Sequence, residues 1–201
     1  MRPVFYFLIA LSVIASAFGK KDAANVALAR WVVERNSSLN IQGETNINTF
    51  QCDVTEYLRS DTLCYLRNDE SKKLNFTASY LVIEVKRFDC HSKFITEDFR
   101  GALKAEQNPT LKIALISVDQ FAPNCTNQPV KGIVDISLAR VVKRAEINYI
   151  AKALPGNRIQ LSGSHVFLFS DFGLKPPRKL AGLIRTKDEI KVTFQLFFRS
   201  I

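Results

Sequence analysis

Three features of this 201-residue sequence predict an all-β fold. Apolar side chains recur at every second position over two long stretches near the C-terminus. Turns containing Gly or Pro separate shorter alternating segments along much of the chain. The apolar content is also rich in aromatics, with 15 Phe against one Met and one Trp, which suits a β-rich core. About eight strands joined by turns to their sequence neighbours suit an antiparallel meander. Eight such strands can close into a barrel, which removes exposed edges. One short crossover helix is the exception to the β pattern.

Residues 1–17 carry the marks of a cleavable secretory signal. Arg2 gives a positive start, Val4 to Ala17 is an apolar run of 14 residues, and Ala15-Ser16-Ala17 fits the small-x-small rule for a cut before Phe18. The run is short against the ~20 residues that span a bilayer. The chain is therefore expected to be exported, periplasmic or secreted. Residues 18–29 are expected as a linker and residues 30–201 as one β-barrel domain.

Trp31-Val32-Val33-Glu34 starts the first strand, and Leu39 and Ile41 resume its alternation after Arg35-Asn36-Ser37. Gly43-Glu44-Thr45-Asn46 reads as a turn. Ile47 to Val54 is the second strand, and Glu56 to Leu74 is polar enough to read as a long loop around Cys64. Phe76 to Val85 alternates again, with Leu81, Ile83 and Val85 on one side. The helix follows, with Thr96 as N-cap, Glu97 and Asp98 in its first turn, and Phe99, Ala102 and Leu103 as its apolar stripe. Asn108-Pro109 stops it. Leu111 to Val118, Val130 to Leu138 and Ala145 to Ala153 are strands, and Gln120 to Pro129 is a loop that holds Cys125. Pro155-Gly156-Asn157 is a tight turn.

The two clearest strands close the chain. From Ile159 to Phe169 the series is Ile159, Leu161, Phe167 and Phe169, with Gly163 and His165 in the gaps. From Ile190 to Phe198, Ile190, Val192, Phe194, Leu196 and Phe198 point one way, while Lys191, Thr193 and Gln195 point the other. Ser170 to Arg178 connects the two strands, and Pro176-Pro177 makes that connection a rigid loop.

The net charge is +9, falling to +8 once the signal and its Arg2 are removed. The cations are scattered rather than striped and lack interleaved stacking aromatics, which argues against nucleic acid. Cys52, Cys64, Cys90 and Cys125 are even in number in an exported chain, so disulfides are expected, with three pairings open. Without a CxxC, a zinc or thioredoxin-like motif is not expected. The two histidines, His91 and His165, sit in no nucleophile or metalloprotease motif. There is no GxGxxG, P-loop or GxSxG. The chain therefore reads as a non-enzyme without a cofactor. Sequons at Asn36, Asn75 and Asn124 would matter only in a eukaryotic secretory pathway.

Four stretches bring a resemblance into view. Trp31-Val32-Val33 with Ser38-Leu39-Asn40-Ile41-Gln42-Gly43 resembles the opening hairpin of the YceI-like family. Thr45 to Cys52 resembles the continuation in Bacteroidota-type members. Phe88-Asp89-Cys90, Ala102-Leu103-Lys104-Ala105 and Asn108-Pro109 resemble its helical crossover. Ser170 to Arg178, Gly182-Leu183-Ile184 and Asp188 to Phe197 resemble its closing segment. Arg35-Asn36-Ser37-Ser38 departs from the better-studied subgroup, which has a His before that Ser, and Ala139 stands where a Gly is common.

The resemblance implies a lipocalin-like antiparallel barrel with a long apolar cavity. It further implies non-catalytic binding of a polyisoprenoid, quinone or similar lipid by an exported protein. The lipid-contacting residues expected on that basis are Trp31, Phe76, Phe167, Phe169, Phe172, Phe194, Leu196 and Phe198. Lys175 and Arg178, in the proline-stiffened loop, are expected beside a charged headgroup. A Cys52–Cys90 disulfide is expected because both residues lie in resembling stretches. Cys64 and Cys125 would form a second bridge if their loops approach. Peripheral contact with a membrane, and a monomer or homodimer, complete the expectation. The competing reading is a closed-core structural or interaction domain of the cell envelope. A continuous apolar void above roughly 300 Å³ separates the two readings.

Overall fold

The computed structural model describes residues 26–68, 71–77 and 79–201. The expected signal peptide and the first part of the expected linker lie outside the described residues. Twelve strands form among the described residues: β1 (Val26–Val33), β2 (Ser38–Thr45), β3 (Thr49–Val54), β4 (Thr62–Asn68), β5 (Lys73–Thr77), β6 (Tyr80–Glu84), β7 (Thr110–Asp119), β8 (Gln128–Leu138), β9 (Val141–Leu154), β10 (Arg158–Leu168), β11 (Arg178–Lys179) and β12 (Ile184–Ser200). Helix α1 (Lys93–Ala102) lies between β6 and β7.

Eight strands close an antiparallel ring in the order β1-β4-β5-β7-β8-β9-β10-β12. Closure comes from the last strand. At 17 residues, β12 is long enough to serve two partners along one edge. Its C-terminal end pairs with β1, placing Val33 opposite Phe198, and its N-terminal half pairs with β2, placing Leu39 opposite Phe194. β1 and β2 therefore share an edge, broken at Glu34–Ser37. Buried Ser37 mends the break, because its hydroxyl accepts the Phe197 N–H at 2.9 Å. β7 is shared in the same way, by β6 at its start and β5 at its end. The result is the lipocalin-like barrel with one short helix that the sequence predicts.

Several boundaries differ from expectation. Val26 to Ala29 belong to β1 and pair with β4 instead of forming linker. Gly43 lies inside β2, opposite Phe50. The Phe50 ring lies across it, with Cζ 2.3 Å from where a Cβ would stand, so a side chain has no room there. The expected loop from Glu56 to Leu74 contains β4 and the start of β5. The polar residues Glu56, Arg59, Ser60 and Asp61 that suggested a loop precede the short strand, which itself buries Leu63 and Tyr65. Phe76 to Val85 is split between β5 and β6 at Ser79, whose hydroxyl accepts the Cys64 N–H at 2.7 Å. α1 begins a turn early, with Ser92 at the N-cap position. Thr96 is then inside the helix and buried, and its hydroxyl accepts the Cys90 N–H at 2.9 Å. Phe169 leaves the strand for a short 3-10 turn, Phe169–Phe172. Ala139 and Arg140, at φ 50° and 68°, turn β8 into β9 in the left-handed region, which explains why glycine suits that position.

Among the described residues no ladder joins β3 to β6. Tyr57 crosses that gap. Its hydroxyl accepts the Val82 N–H at 2.8 Å and donates to Asp61. Burial, reinforced by the Asp61 carboxylate, pushes the Tyr57 pKa well up, so the hydroxyl stays protonated. Lower in the gap, Cys52 and Cys90 form a disulfide, and Asp53 bridges the Asp89 backbone. Cys64 and Cys125 are unpaired, contrary to the expected second bridge. Strand alternation puts Cys64 on the outer face of β4, whereas Cys125 is buried in its loop.

Candidate functional site

The inward faces of the barrel strands meet around an apolar void. Its volume is about 70 Å³. Leu39, Val54, Leu81, Ile83, Leu115, Val134, Ile136, Ile147, Tyr149, Phe167, Val192, Phe194 and Leu196 line it, with Tyr57 and Ser37 beside them. A second void of about 60 Å³ lies toward α1, lined by Phe88, Phe99, Leu103, Phe172 and Ile190. The two share Leu39, Ile113, Ile136, Phe167 and Val192, so they are neighbouring parts of one apolar interior. Both are narrower than the roughly 300 Å³ expected of a formed ligand pocket.

One glycine makes this interior possible. Gly163 sits opposite both Tyr149 and Phe194, whose rings lie 5.4 Å apart. A Cβ on Gly163 would stand 2.5 Å from the Asn148 carbonyl oxygen and 3.0 Å from Phe194 Cζ. The small residue therefore leaves space for the two large ones. Tyr149 is buried, and among the described residues its hydroxyl has no hydrogen-bond partner. Burial alone pushes its pKa far up, so it offers a neutral hydroxyl within an otherwise apolar lining.

The expected lipid-contacting residues separate into three groups. Phe167, Phe194 and Leu196 line the first void, and Phe167 and Phe172 line the second. Trp31, Phe76 and Phe198 line neither. They pack with Tyr65 and Phe121 into a cluster of rings at the β1–β4–β5 end, with Trp31 5.1–6.0 Å from the other four. Phe169 is buried against Phe99 at 6.5 Å, outside both voids. Lys175 and Arg178 are exposed on the rim, and among the described residues neither has a carboxylate partner. Phe172 and Leu174, from the same connection, are buried beneath them.

Sequence reasoning missed Val134, Ile136, Ile147 and Tyr149, although the period-two signal in β8 and β9 placed them on the inward face. It also missed Tyr57, Phe88 and Phe99. Tyr57 and Phe88 come from connections at the β3–β6 gap, where no periodicity points inward. Phe99 belongs to the apolar stripe of α1, which the sequence placed against the core without showing that it borders a void. His165 lines neither void. It stands 4.5 Å from the Phe167 ring, and partial burial lowers its pKa, offset in part by Asp171. Among the described residues no cluster of His, Cys, Asp or Glu could hold a metal ion.

No protein family model matches the chain, and no curated protein does. Solved structures do. A polyisoprenoid-binding domain from Saccharophagus degradans, implicated in plant cell wall breakdown, superimposes with a TM-score of 0.59 at 14% identity, over 87% of this chain and 100% of that one. BcnA from Burkholderia cenocepacia superimposes with a TM-score of 0.54 at 12% identity, over 80% of this chain and 95% of that one. At such identities the likeness is one of fold.

Proposed function

We propose that this chain is a non-catalytic, YceI-like lipid carrier that takes an isoprenoid-type chain, free or as the tail of a quinone, into the barrel interior. The observation that carries the reading is the unbroken apolar lining from Phe194 and Ile147 through Phe167 to Phe172. The fold shared with a polyisoprenoid-binding domain supports it. The narrow void sets a condition, because Phe194, Leu196 and Phe167 must turn aside to admit a chain. Each methylene then buried contributes ~0.8 kcal/mol, which offsets such rotamer changes after a few isoprene units. Lys175 and Arg178 would meet an acidic headgroup at the rim.

The test is mass spectrometry of organic extracts from natively purified protein, alongside uptake of a polyprenyl lipid from detergent. A co-purifying isoprenoid and saturable uptake are expected. Phe194→Asp, which buries an unpaired charge, should unfold the barrel or abolish uptake. Empty extracts together with no uptake would return the closed-core reading. Replacing both Lys175 and Arg178 with Gln should weaken a charged-head lipid and leave a neutral quinone unaffected. Equal affinities for both ligands before and after would leave the rim loop as a plug only.

A further inference from the structure

The end of the barrel that carries α1 also carries a surface the lipid-carrier reading does not use. Ile47, Phe94, Leu180 and Leu183 are 65–79% exposed. They come from three segments that are tied together. Asn46, beside Ile47, donates from its side chain to the Leu183 carbonyl at 2.9 Å and accepts the Arg185 N–H at 2.9 Å. Lys179 pairs with Asp98 of α1 at 2.6 Å. Phe94 lies one helical turn before Asp98, on the same face of α1. A groove of about 170 Å³ runs between these segments, lined by Ile47, Phe50, Ile95, Phe99, Pro177 and Ile184.

The backbone that presents the patch is strained. Leu180 and Ala181 sit in the left-handed region at φ 50° and 53°, in succession and without glycine.

Charge identifies the partner. Residues 44–49, 93–102 and 174–187 carry seven cations, Lys93, Arg100, Lys175, Arg178, Lys179, Arg185 and Lys187, against the three carboxylates Glu44, Glu97 and Asp98. Lys179 and Lys187 are paired with Asp98 and Glu44. Lys93, Lys175 and Arg178 are exposed and, among the described residues, have no carboxylate partner. A second copy of this chain would bring the same unpaired cations together. Protruding apolar side chains ringed by free cations fit the interface of a bilayer with anionic headgroups.

We propose that the α1 end of the barrel docks on an anionic lipid bilayer. Phe94, Ile47, Leu180 and Leu183 enter the headgroup boundary, and Lys93, Lys175 and Arg178 meet lipid phosphates. Phe99 lines both the surface groove and the inner void beneath α1. If the carrier reading holds, docking therefore opens a short apolar route past one ring.

Co-sedimentation with large vesicles tests the docking without lipid uptake. The full chain is compared on equal phosphatidylglycerol and phosphatidylcholine and on phosphatidylcholine alone. All variants share the same N-terminal segment, so differences between them report the patch. Binding to the anionic vesicles is expected, weakening as salt rises. Phe94→Ser with Leu183→Ser, and separately Lys175→Glu with Arg178→Glu, should each cut it at least tenfold. Leu28→Ser with Lys152→Glu, exposed elsewhere on the barrel, should not. Uptake of polyprenyl lipid from detergent should survive the Phe94/Leu183 change, so that failure of docking and failure of lipid capture are read separately. The proposal is overturned by equal binding to both vesicle types. It is also overturned by patch variants that bind like the parent, or by a loss confined to the Lys175/Arg178 variant, which would leave only a headgroup role. Dimerisation lost in the Phe94/Leu183 variant, without vesicle binding, would assign the patch to a second copy.

Discussion

At the β1–β4–β5 end of the barrel, Trp31 packs against Tyr65, Phe76, Phe121 and Phe198, and the ladder from β12 through β1 and β4 to β5 is continuous. At the opposite end, among the described residues β3 and β6 do not pair, the voids lie between walls of mixed aliphatic and aromatic side chains, and side-chain ties take over from the ladder. Those ties are Tyr57 across the gap, the Cys52–Cys90 disulfide and the Asp53–His91 contact at 2.7 Å. Both ends grow from the same alternation of apolar and polar residues. The contrast shows how one barrel divides its work. Interlocked rings, each well-placed pair worth ~0.5–1.5 kcal/mol beyond its burial, stabilise one end. Imperfect filling and an unzipped seam leave the voids at the other.

If that division is right, damage to the filled end should cost stability and spare uptake. Trp31→Ala leaves a cavity among four rings and should destabilise by ~3–5 kcal/mol. Folded protein, assayed below its new melting point, should still take up polyprenyl lipid. Denaturant melts and detergent-based uptake measure both. A variant that melts normally, or one that folds but binds nothing, breaks the comparison.

The disulfide belongs to the hollow end, where no ladder bears the load. Replacing Cys52 and Cys90 with Ser frees a loop spanning 38 residues and should cost ~2–4 kcal/mol. Hydrogen exchange should then rise first around β3, β6 and α1, before β1, β4 and β5. Uniform loosening of the whole barrel would show that the two ends are one cooperative unit.

Filling the void should give the converse of the Trp31 result. Ile147→Trp overpacks the lining and should cost ~1–3 kcal/mol. Uptake should fall to background while the melt stays cooperative. Retained uptake would place the lipid somewhere other than this interior.

The smallest expected effect is electrostatic. Partial burial alone would raise the Asp53 pKa, but hydrogen bonds from Asn40, His91 and Gln51 outweigh it and hold the carboxyl below its ordinary value. A depressed folded-state pKa adds stability that is fully present above the unfolded value and is lost as pH falls through the folded one. Stability should therefore hold above about pH 5 and decline below about pH 4. Asp53→Asn should flatten that decline by at most about 1 kcal/mol, because the site is near the surface. Urea melts at several pH values check it, and an unchanged acid limb would remove Asp53 from the seam.

Much of this was written in the chain. The alternation from Ile190 to Phe198 assigned inward and outward positions in the second half of the closing strand, and Phe194 and Phe198 are buried where Lys191 and Gln195 are exposed. Period-two patterning acts locally, through the pleat, so it survives without knowledge of neighbours. The polar run before it hid β4, because a short strand that buries only Leu63 and Tyr65 gives too little alternation to stand out.

What the alternation leaves open is which inward rings meet each other and which face empty space. Trp31 and Phe194 carry the same local signature, yet one is locked among rings and the other borders a void. The difference lies in register across β12, which aligns Phe198 with Val33 beside Trp31 but sets Phe194 opposite Gly163 and Leu39. The seam between β3 and β6, and the ties that close it, likewise arise from segments far apart in sequence. Patterning along the chain determined that there would be a barrel and which residues would face its inside. Only the pairing of distant strands decided where that inside is solid and where it is hollow, because packing depends on who stands opposite, not on who comes next.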